Sequence, residues 1–195
     1  MRDLANAKLK QIYETGLSLM WRFGIRRVTI EEICQEAKVS KMTFYKHFRN
    51  KTDLVKFILE VMNAERMALY RQVMERRIPF AEKMKEVVRL KMVQIEDLSR
   101  EFYLDLHKHA EPELLEYVNS MVREGLKTVL DDYIQAQKTG EIRPDLKPEF
   151  IIYFLNHMVT MLRDDELIRL YDSPQELIME ISNFFVYGIL PRSEG

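Results

Sequence analysis

The pattern of apolar and polar positions is helical along almost the entire chain. Apolar residues recur three and four positions apart, and the strict alternation typical of a half-buried β-strand is absent. Capping residues, glycines and prolines indicate where one helix ends and the next begins. The pattern predicts an all-α fold of about nine helices. Two short helices lie within 29–48, and the others cover about 4–23, 51–75, 79–99, 101–109, 112–139, 148–165 and 173–189.

The segment that begins at Thr29 predicts two short helices joined by a tight turn. Thr29 is an N-cap residue, and Glu32 completes a capping box, in which each side chain satisfies a backbone N–H of the other residue. Ser40 is an N-cap residue for the second helix. Phe44 and Phe48 are four positions apart, so they lie on the same side of that helix. We expect this side to be buried.

The opposite side of the second helix combines cationic and aromatic side chains. The residues that point away from the buried side are Lys41, Met42, Tyr45 and Lys46. The major groove of B-DNA is wide enough to admit one helix, and a helix-turn-helix places its second helix there. The spacing of the two helices, their caps and this side chain composition favour DNA binding. The alternative is a small helical core with a solvated polar face.

The distribution of charge supports a nucleic-acid partner for the N-terminal part only. Residues 1–51 contain 11 basic and 5 acidic residues, whereas residues 52–195 contain 19 and 26. The formal net charge of −1 therefore combines a basic N-terminal part with an acidic remainder. This asymmetry is expected when only one end of a protein binds a polyanion.

The same segment carries a family pattern. The matching positions are Thr29, Ile30, Ile33, Cys34, Ala37 to Ser40, Thr43 to Phe48, Lys51 and Leu54. They resemble the DNA-binding head of the tetracycline-repressor (TetR) family of bacterial transcription regulators. Two positions depart from the family pattern. Cys34 replaces a small alanine. Lys38 replaces a glycine at a turn position expected to need a positive φ, where a side chain costs about 1 kcal/mol.

The resemblance implies a role for each matching residue on the groove-facing side. The residues expected to contact base edges are Lys41, Met42 and Thr43. Those expected to bind phosphate are Thr29, Tyr45, His47 and Lys51, and Lys46 fits either role. For His47, a surface imidazole bonded to nearby backbone is the alternative.

The last two predicted helices, about 148–165 and 173–189, are apolar on more than one face. The residues from Phe150 to Leu155 have no polar interruption. The apolar stretch is shorter than the roughly 20 residues that span a bilayer, so we expect no membrane association. A helix that is apolar on several sides must be buried on several sides. One side is expected to pack on the chain's own core and the other on a second copy; a wholly internal core is the alternative. In the resembled family these two helices form the homodimer interface, and a two-fold dimer matches a palindromic operator.

These observations predict a DNA-binding domain at 1–51, with its helix-turn-helix at 29–48, and an effector-binding and dimerisation domain at 52–195. The resemblance implies a repressor that a small-molecule effector, of a class the sequence leaves open, releases from DNA. The alternative is a DNA-bound adaptor whose C-terminal domain binds a protein partner. We find no Ser/His/Asp set, glycine-rich phosphate loop or metal-ligand pair, so we expect neither an enzyme nor a cofactor. A single cysteine excludes an internal disulfide and favours a cytoplasmic protein.

Overall fold

The structure of the chain, a computed structural model, describes residues 2–95, 99–161 and 164–191. Within these residues the chain is helical and contains no strand, which confirms the predicted fold class. The ten helices are α1 (Ala7–Phe23), α2 (Ile30–Glu36), α3 (Lys41–His47), α4 (Lys51–Met74), α5 (Phe80–Ile95), α6 (Arg100–His107), α7 (Pro112–Lys138), α8 (Pro148–Met161), α9 (Asp165–Ile168) and α10 (Pro174–Ile189). None of the helices in this part of the chain is both long and apolar enough to span a membrane.

Most helix ends agree with the predicted ones within a few residues, and the differences have local causes. Helix α1 begins at Ala7 rather than near residue 4, because the Asn6 side chain accepts hydrogen bonds from the N–H groups of Lys8 and Leu9. The prediction of about nine helices omitted α9. This helix has only four residues, too few for an apolar period, and its N-cap is Asp164. The parts of the predicted helices at 96–98 and 162–163 lie outside the described residues.

The chain divides into two compact units. The first, which we call the head unit, contains Met1–Glu65 and Asp97–Tyr117. The second, the body unit, contains Arg66–Glu96 and Val118–Gly195. Each unit therefore combines two separate stretches of sequence. The divisions fall within α4 and α7, and α6 belongs with the N-terminal helices.

Aromatic side chains from three helices form the centre of the head unit. Phe44 and Phe48 are fully buried, as predicted, and their ring centroids are 5.6 Å apart. Phe57 of α4 lies 5.7 Å from Phe48 and 5.8 Å from Tyr13 of α1. Tilted and edge-on contacts at these distances are the favourable arrangements for aromatic rings. The buried side of α3 is thus held against both long helices of the unit.

The turn between α2 and α3 has the strained residue that the sequence predicted. Lys38 has φ 52°, and no other non-glycine residue in the described ranges has a positive φ. The Val39 N–H donates to the Cys34 carbonyl at 3.0 Å, and the Lys38 N–H donates to the Gln35 carbonyl at 3.2 Å. These two bonds form a Schellman motif, which ends a helix with one left-handed residue, usually glycine. Lysine therefore occupies a position where a glycine would be less strained.

Helix α6 packs against the end of α1. The Ser99 N–H donates to the Trp21 carbonyl at 3.3 Å, and the Trp21 and Phe102 rings lie 5.0 Å apart. Gly24 follows α1 with φ 87°, and a Cβ at this position would lie only 2.8 Å from the Asp105 carboxylate. A side chain cannot be accommodated there without movement of α6 or of the loop. This close approach requires glycine at position 24.

The core of the body unit is also aromatic. Tyr133 of α7 contacts Phe80 of α5 and Phe185 of α10, with ring centroids 5.5 and 5.8 Å apart. Phe154 of α8 stacks on Phe185 at 5.7 Å, so α8 and α10 are neighbours. The buried Tyr70 hydroxyl donates to Asp132 at 2.9 Å. Burial, and secondarily the nearby Tyr133 and Asp132, raise the pKa of Tyr70, so it stays a neutral hydrogen-bond donor.

Candidate nucleic-acid interface

Local capping and core packing fix the orientation of α3. The Ser40 hydroxyl accepts a hydrogen bond from the Thr43 N–H at 3.0 Å, so Ser40 is the predicted N-cap. Phe44 and Phe48 are fully buried on the inner side. Because a helix of seven residues has only two turns, these contacts determine which side chains face solvent.

The outer side of α3 exposes large apolar side chains beside cations. Met42 is 72% exposed and Tyr45 is 55% exposed. Lys41 and Lys46 are exposed as well, whereas Thr43 and His47 are half-buried at the borders of this surface. We call the six residues 41–43 and 45–47 the α3 surface. An exposed methionine and tyrosine among lysines indicate a surface that another molecule covers.

Thr29 forms both halves of the predicted capping box. Its hydroxyl accepts from the Glu32 N–H at 3.2 Å and donates to the Glu32 carboxylate at 2.8 Å. The Thr29 N–H donates to the same carboxylate at 2.7 Å. The hydrogen bond from the Thr29 backbone, followed by that from its hydroxyl, lowers the pKa of Glu32. Thr29 therefore fixes the start of α2, and its hydroxyl proton is engaged within the protein.

Lys51 has a role that the sequence did not predict. Its ammonium donates to the carbonyls of Ile25, Arg26 and Val28 at 2.9, 3.2 and 3.0 Å. Burial lowers the pKa of Lys51, while Asp105 and Glu32 act in the opposite direction. An ammonium has three N–H donors, so these carbonyls use all of them. A phosphate contact by Lys51 would replace one of these bonds.

The loop that Lys51 holds is strongly basic. Arg22 and Arg27 both lie against the Phe23 ring, with guanidinium carbons 5.0 and 4.8 Å from its centroid. The Arg26 N–H donates to the Asp105 carboxylate of α6 at 2.8 Å. The loop is thus fixed by Lys51 from α4 and by Asp105 from α6. No contact was predicted for these arginines, although their density in 22–27 was a visible signal.

Arg2 fastens the N-terminal residues to the turn between α3 and α4. Its guanidinium donates to both carboxylate oxygens of Asp53, at 2.8 and 2.7 Å, and lies 4.7 Å above the Phe48 ring. Burial raises the pKa of Asp53, but the hydrogen bonds from Arg2 and the Arg49 N–H together lower it by more. The pKa of Asp53 is therefore lowered overall. This pair was not predictable from the sequence, because its members are 51 positions apart.

An ion pair joins the starts of α2 and α3. The Lys41 ammonium donates to the Glu31 carboxylate, and both side chains are more than half exposed. The hydrogen bond to Lys41 lowers the pKa of Glu31, and the same bond raises the pKa of Lys41. The ammonium of this predicted base contact is therefore held beside a carboxylate at the edge of the α3 surface.

Comparison with known proteins places this arrangement in a family. The sequence model of the tetR family of bacterial regulatory proteins matches residues 12–58. An uncharacterised HTH-type transcriptional regulator, YvkB of Bacillus subtilis, is 25% identical over 189 residues, which cover 92% of this chain and 96% of YvkB. Residues 12–58 therefore form a TetR-type DNA-binding segment, and the comparisons support a TetR-family regulator. The matched segment contains α2, α3 and all of the residues predicted as DNA contacts.

Solved TetR-type structures share the complete fold. SmeT, a repressor from Stenotrophomonas maltophilia solved with triclosan, has a TM-score of 0.73 at 16% identity; the match covers 96% of this chain and 94% of SmeT. FadR of Bacillus subtilis, solved with stearoyl-CoA, has a TM-score of 0.65 at 19% identity, covering 92% of this chain and 98% of FadR. The chain therefore has the helical fold of these TetR-type structures.

The three carbonyl bonds of Lys51 lead to a stability prediction. Lys51→Met keeps the aliphatic stem but leaves three carbonyl oxygens without their donor, so the free energy of unfolding should fall by about 1–3 kcal/mol. The measurement is urea unfolding followed by circular dichroism. Lys46→Met, which removes an exposed lysine from α3, should change the same quantity by less than about 0.5 kcal/mol. Equal stabilities for the two variants would show that the bonds contribute nothing.

Proposed function

We propose that this TetR-family regulator is a repressor that binds a palindromic operator as a homodimer and is released by a small molecule bound in its C-terminal domain. The α3 surface carries the proposal, because its buried phenylalanines leave two lysines, a methionine and a tyrosine exposed together. A helix with this composition complements the major groove, where lysine donates to guanine and a methyl group packs on the thymine methyl.

The proposed DNA contacts are divided by role. Base edges would be contacted by Lys41, Met42 and Thr43, and phosphates by Thr29, Tyr45, His47 and Lys51, while Lys46 fits either role. Thr29 and Lys51 are the least free of these residues, because their polar hydrogens are bonded within the head unit. Phosphate contacts fix the register of the protein on the duplex and base contacts select the sequence.

Two exposed apolar stripes support a homodimer. On α8 the exposed residues Phe150, Tyr153, His157 and Met161 follow one another at three- and four-residue spacing. On α10, Phe184 is 74% exposed and Tyr187 is 64% exposed, while Phe185 and Val186 between them are buried. Because Phe154 of α8 stacks on Phe185 of α10, we propose that the two stripes together form one apolar face, which we call the α8–α10 face. A second copy of the same face, related by a two-fold axis, would cover both stripes.

We propose 1–51 as the DNA-binding domain and 52–195 as the effector-binding and dimerisation domain. The effector-dependent step would use α6, which contacts the basic loop through Asp105 and is joined in sequence to α5 of the body unit and to α7, most of which belongs to the body unit. A displacement of α6 would release the Arg26 N–H and alter the loop that leads to α2. Effector binding and DNA binding would then be coupled by differences in the same contacts.

The neighbours support an apolar effector. SmeT was solved with triclosan and FadR with stearoyl-CoA, both molecules with large apolar parts. The described core of the body unit is apolar, with aromatic and aliphatic side chains and the buried Met84, so a cavity that opens among them would suit an apolar ligand. The adaptor alternative has less support. Outside the α8–α10 face, the exposed large apolar residues of the described body unit are single ones on separate elements: Ile78, Val93 and Leu170.

The first test is DNA binding. The protein should protect an inverted repeat next to its own gene at nanomolar concentration, with affinity that falls steeply as salt rises. If Lys46 contacts phosphate, Lys46→Ala should weaken binding to all sequences and reduce the salt slope by about 0.9. Lys41→Ala should in addition relax base preference. Footprinting and fluorescence anisotropy at several salt concentrations measure these quantities.

The salt slope also separates the two roles of Lys51. If Lys51 binds phosphate, Lys51→Met lowers both the affinity and the slope; if it only holds the loop, the affinity falls at an unchanged slope. Sequence-independent binding by the wild type at about 150 mM salt would contradict specific regulation.

The second test is the oligomeric state. Phe184→Glu would bury an unpaired carboxylate in the proposed interface, so the dimer should weaken at least about a hundredfold. Sedimentation equilibrium measures the dissociation constant. Val93→Glu, which places the same charge at a similarly exposed apolar position of α5, should leave the dimer intact. A wild-type monomer, or an unaffected F184E dimer, would exclude the α8–α10 face as the interface.

The third test is effector release. Triclosan and stearoyl-CoA serve as first probes in a thermal-shift screen of apolar small molecules. A compound that raises the melting temperature should lower operator affinity by about 5–150-fold. Asp105→Ala, which removes the acceptor for the Arg26 N–H, should keep the thermal shift and reduce the release from DNA. Stabilising compounds that leave operator affinity unchanged would contradict effector-controlled repression.

A further inference from the structure

The ion pair between Glu31 and Lys41 lies where the proposed function places the DNA bases. Glu31 is in the first turn of α2, and Lys41 is the first residue of α3. Both side chains are more than half exposed, next to Met42. An exposed pair of this kind contributes little to folding stability, because water and salt screen it. The hydrogen bond between Lys41 and Glu31 keeps the ammonium and the carboxylate side by side at the edge of the α3 surface.

The pair retains hydrogen-bonding capacity after its own bond is formed. The Lys41 ammonium has three N–H donors, of which Glu31 uses one, so two remain. An ionised carboxylate accepts about four hydrogen bonds; Lys41 and the Glu31 backbone N–H occupy two, which leaves acceptor capacity. The low pKa of Glu31 keeps this side chain ionised, and therefore an acceptor only, at neutral pH. The pair presents two donors beside an acceptor.

This arrangement complements one base pair better than the others. In the major groove, a C·G pair presents the cytosine N4 donor beside the guanine O6 and N7 acceptors. The cytosine amine would donate to Glu31, and the two guanine acceptors would receive the two remaining N–H groups of Lys41. An A·T pair also offers an adenine donor beside its N7, but its acceptors are not adjacent on one base.

We propose that Glu31 and Lys41 act together as the reader of one C·G base pair in each operator half-site, with Glu31 as the specificity-determining residue for cytosine. The proposal rests on the DNA-binding function proposed above. Glu31 would then be an acidic residue in direct contact with DNA. A carboxylate near phosphates lowers total affinity, so the benefit of Glu31 is selectivity rather than strength of binding.

The experiment is parallel selection of operators from a random duplex DNA pool by wild type, Glu31→Ala and Glu36→Ala. Glu36 is an exposed carboxylate at the other end of α2, so E36A removes the same charge as E31A and serves as its control. The wild type should select a C·G pair at one position per half-site, and other pairs there should bind roughly tenfold more weakly. E31A should reduce this penalty to about threefold or less and bind unrelated DNA more tightly, whereas E36A should select the wild-type site.

A double-variant comparison tests whether the two residues act as a unit. If they read the same base pair as a unit, E31A combined with Lys41→Ala should lose less discrimination at that position than the sum of the two single losses. An E31A variant that keeps the tenfold penalty at the C·G position would overturn the proposal. A general gain in DNA affinity with unchanged base preference would also overturn it, because Glu31 would then only neutralise the charge of Lys41. If the wild type selects no sequence at all, the proposed DNA-binding function fails instead. Melting temperatures of the variants confirm that each one is folded.

Discussion

The burial of Phe44 and Phe48 is the constraint on which the interface depends. The two rings lie on one side of a seven-residue helix and contact Phe57 of α4 through Phe48. A short helix of this kind is not stable alone, so tertiary contacts must hold it in place. These contacts also determine which residues are left outside. Met42 and Tyr45 are exposed not because of their own preference but because the opposite side of the helix is committed to the core.

The parts of the structure that depend on local chemistry were predictable from the sequence. The caps at Thr29 and Ser40 follow from local residue types, and the positive φ of Lys38 follows from the family pattern, which has glycine at that turn position. All three predictions are confirmed. The helices follow from apolar periodicity, except α9, whose four residues are too few to show a repeated apolar position. The buried side of α3 follows from the four-residue spacing of Phe44 and Phe48.

The contacts that hold the interface together were not predictable, because they join distant positions. The Lys51 ammonium reaches carbonyls 23 to 26 positions earlier, and Asp105 accepts from an N–H 79 positions away. Every residue has a backbone carbonyl, so residue identity does not show which carbonyls a lysine will reach. Family resemblance suggested a phosphate role for Lys51, whereas its geometry in this chain is that of a brace. The effector site is harder still, since neighbours at 16–19% identity share the fold and bind ligands as different as triclosan and stearoyl-CoA.

The apolar face on α8 and α10 has a consequence for how the regulator responds to its own abundance. If pairing through this face is required before both half-sites of an operator are contacted, operator occupancy at low protein levels rises with the square of the protomer concentration. Gene control would then have a threshold that is set by side chains such as Phe184 and Tyr187, far along the chain from any residue that touches DNA. The steepness of the switch would be a property of the C-terminal helices, and could change without any alteration of the sequence that the protein recognises.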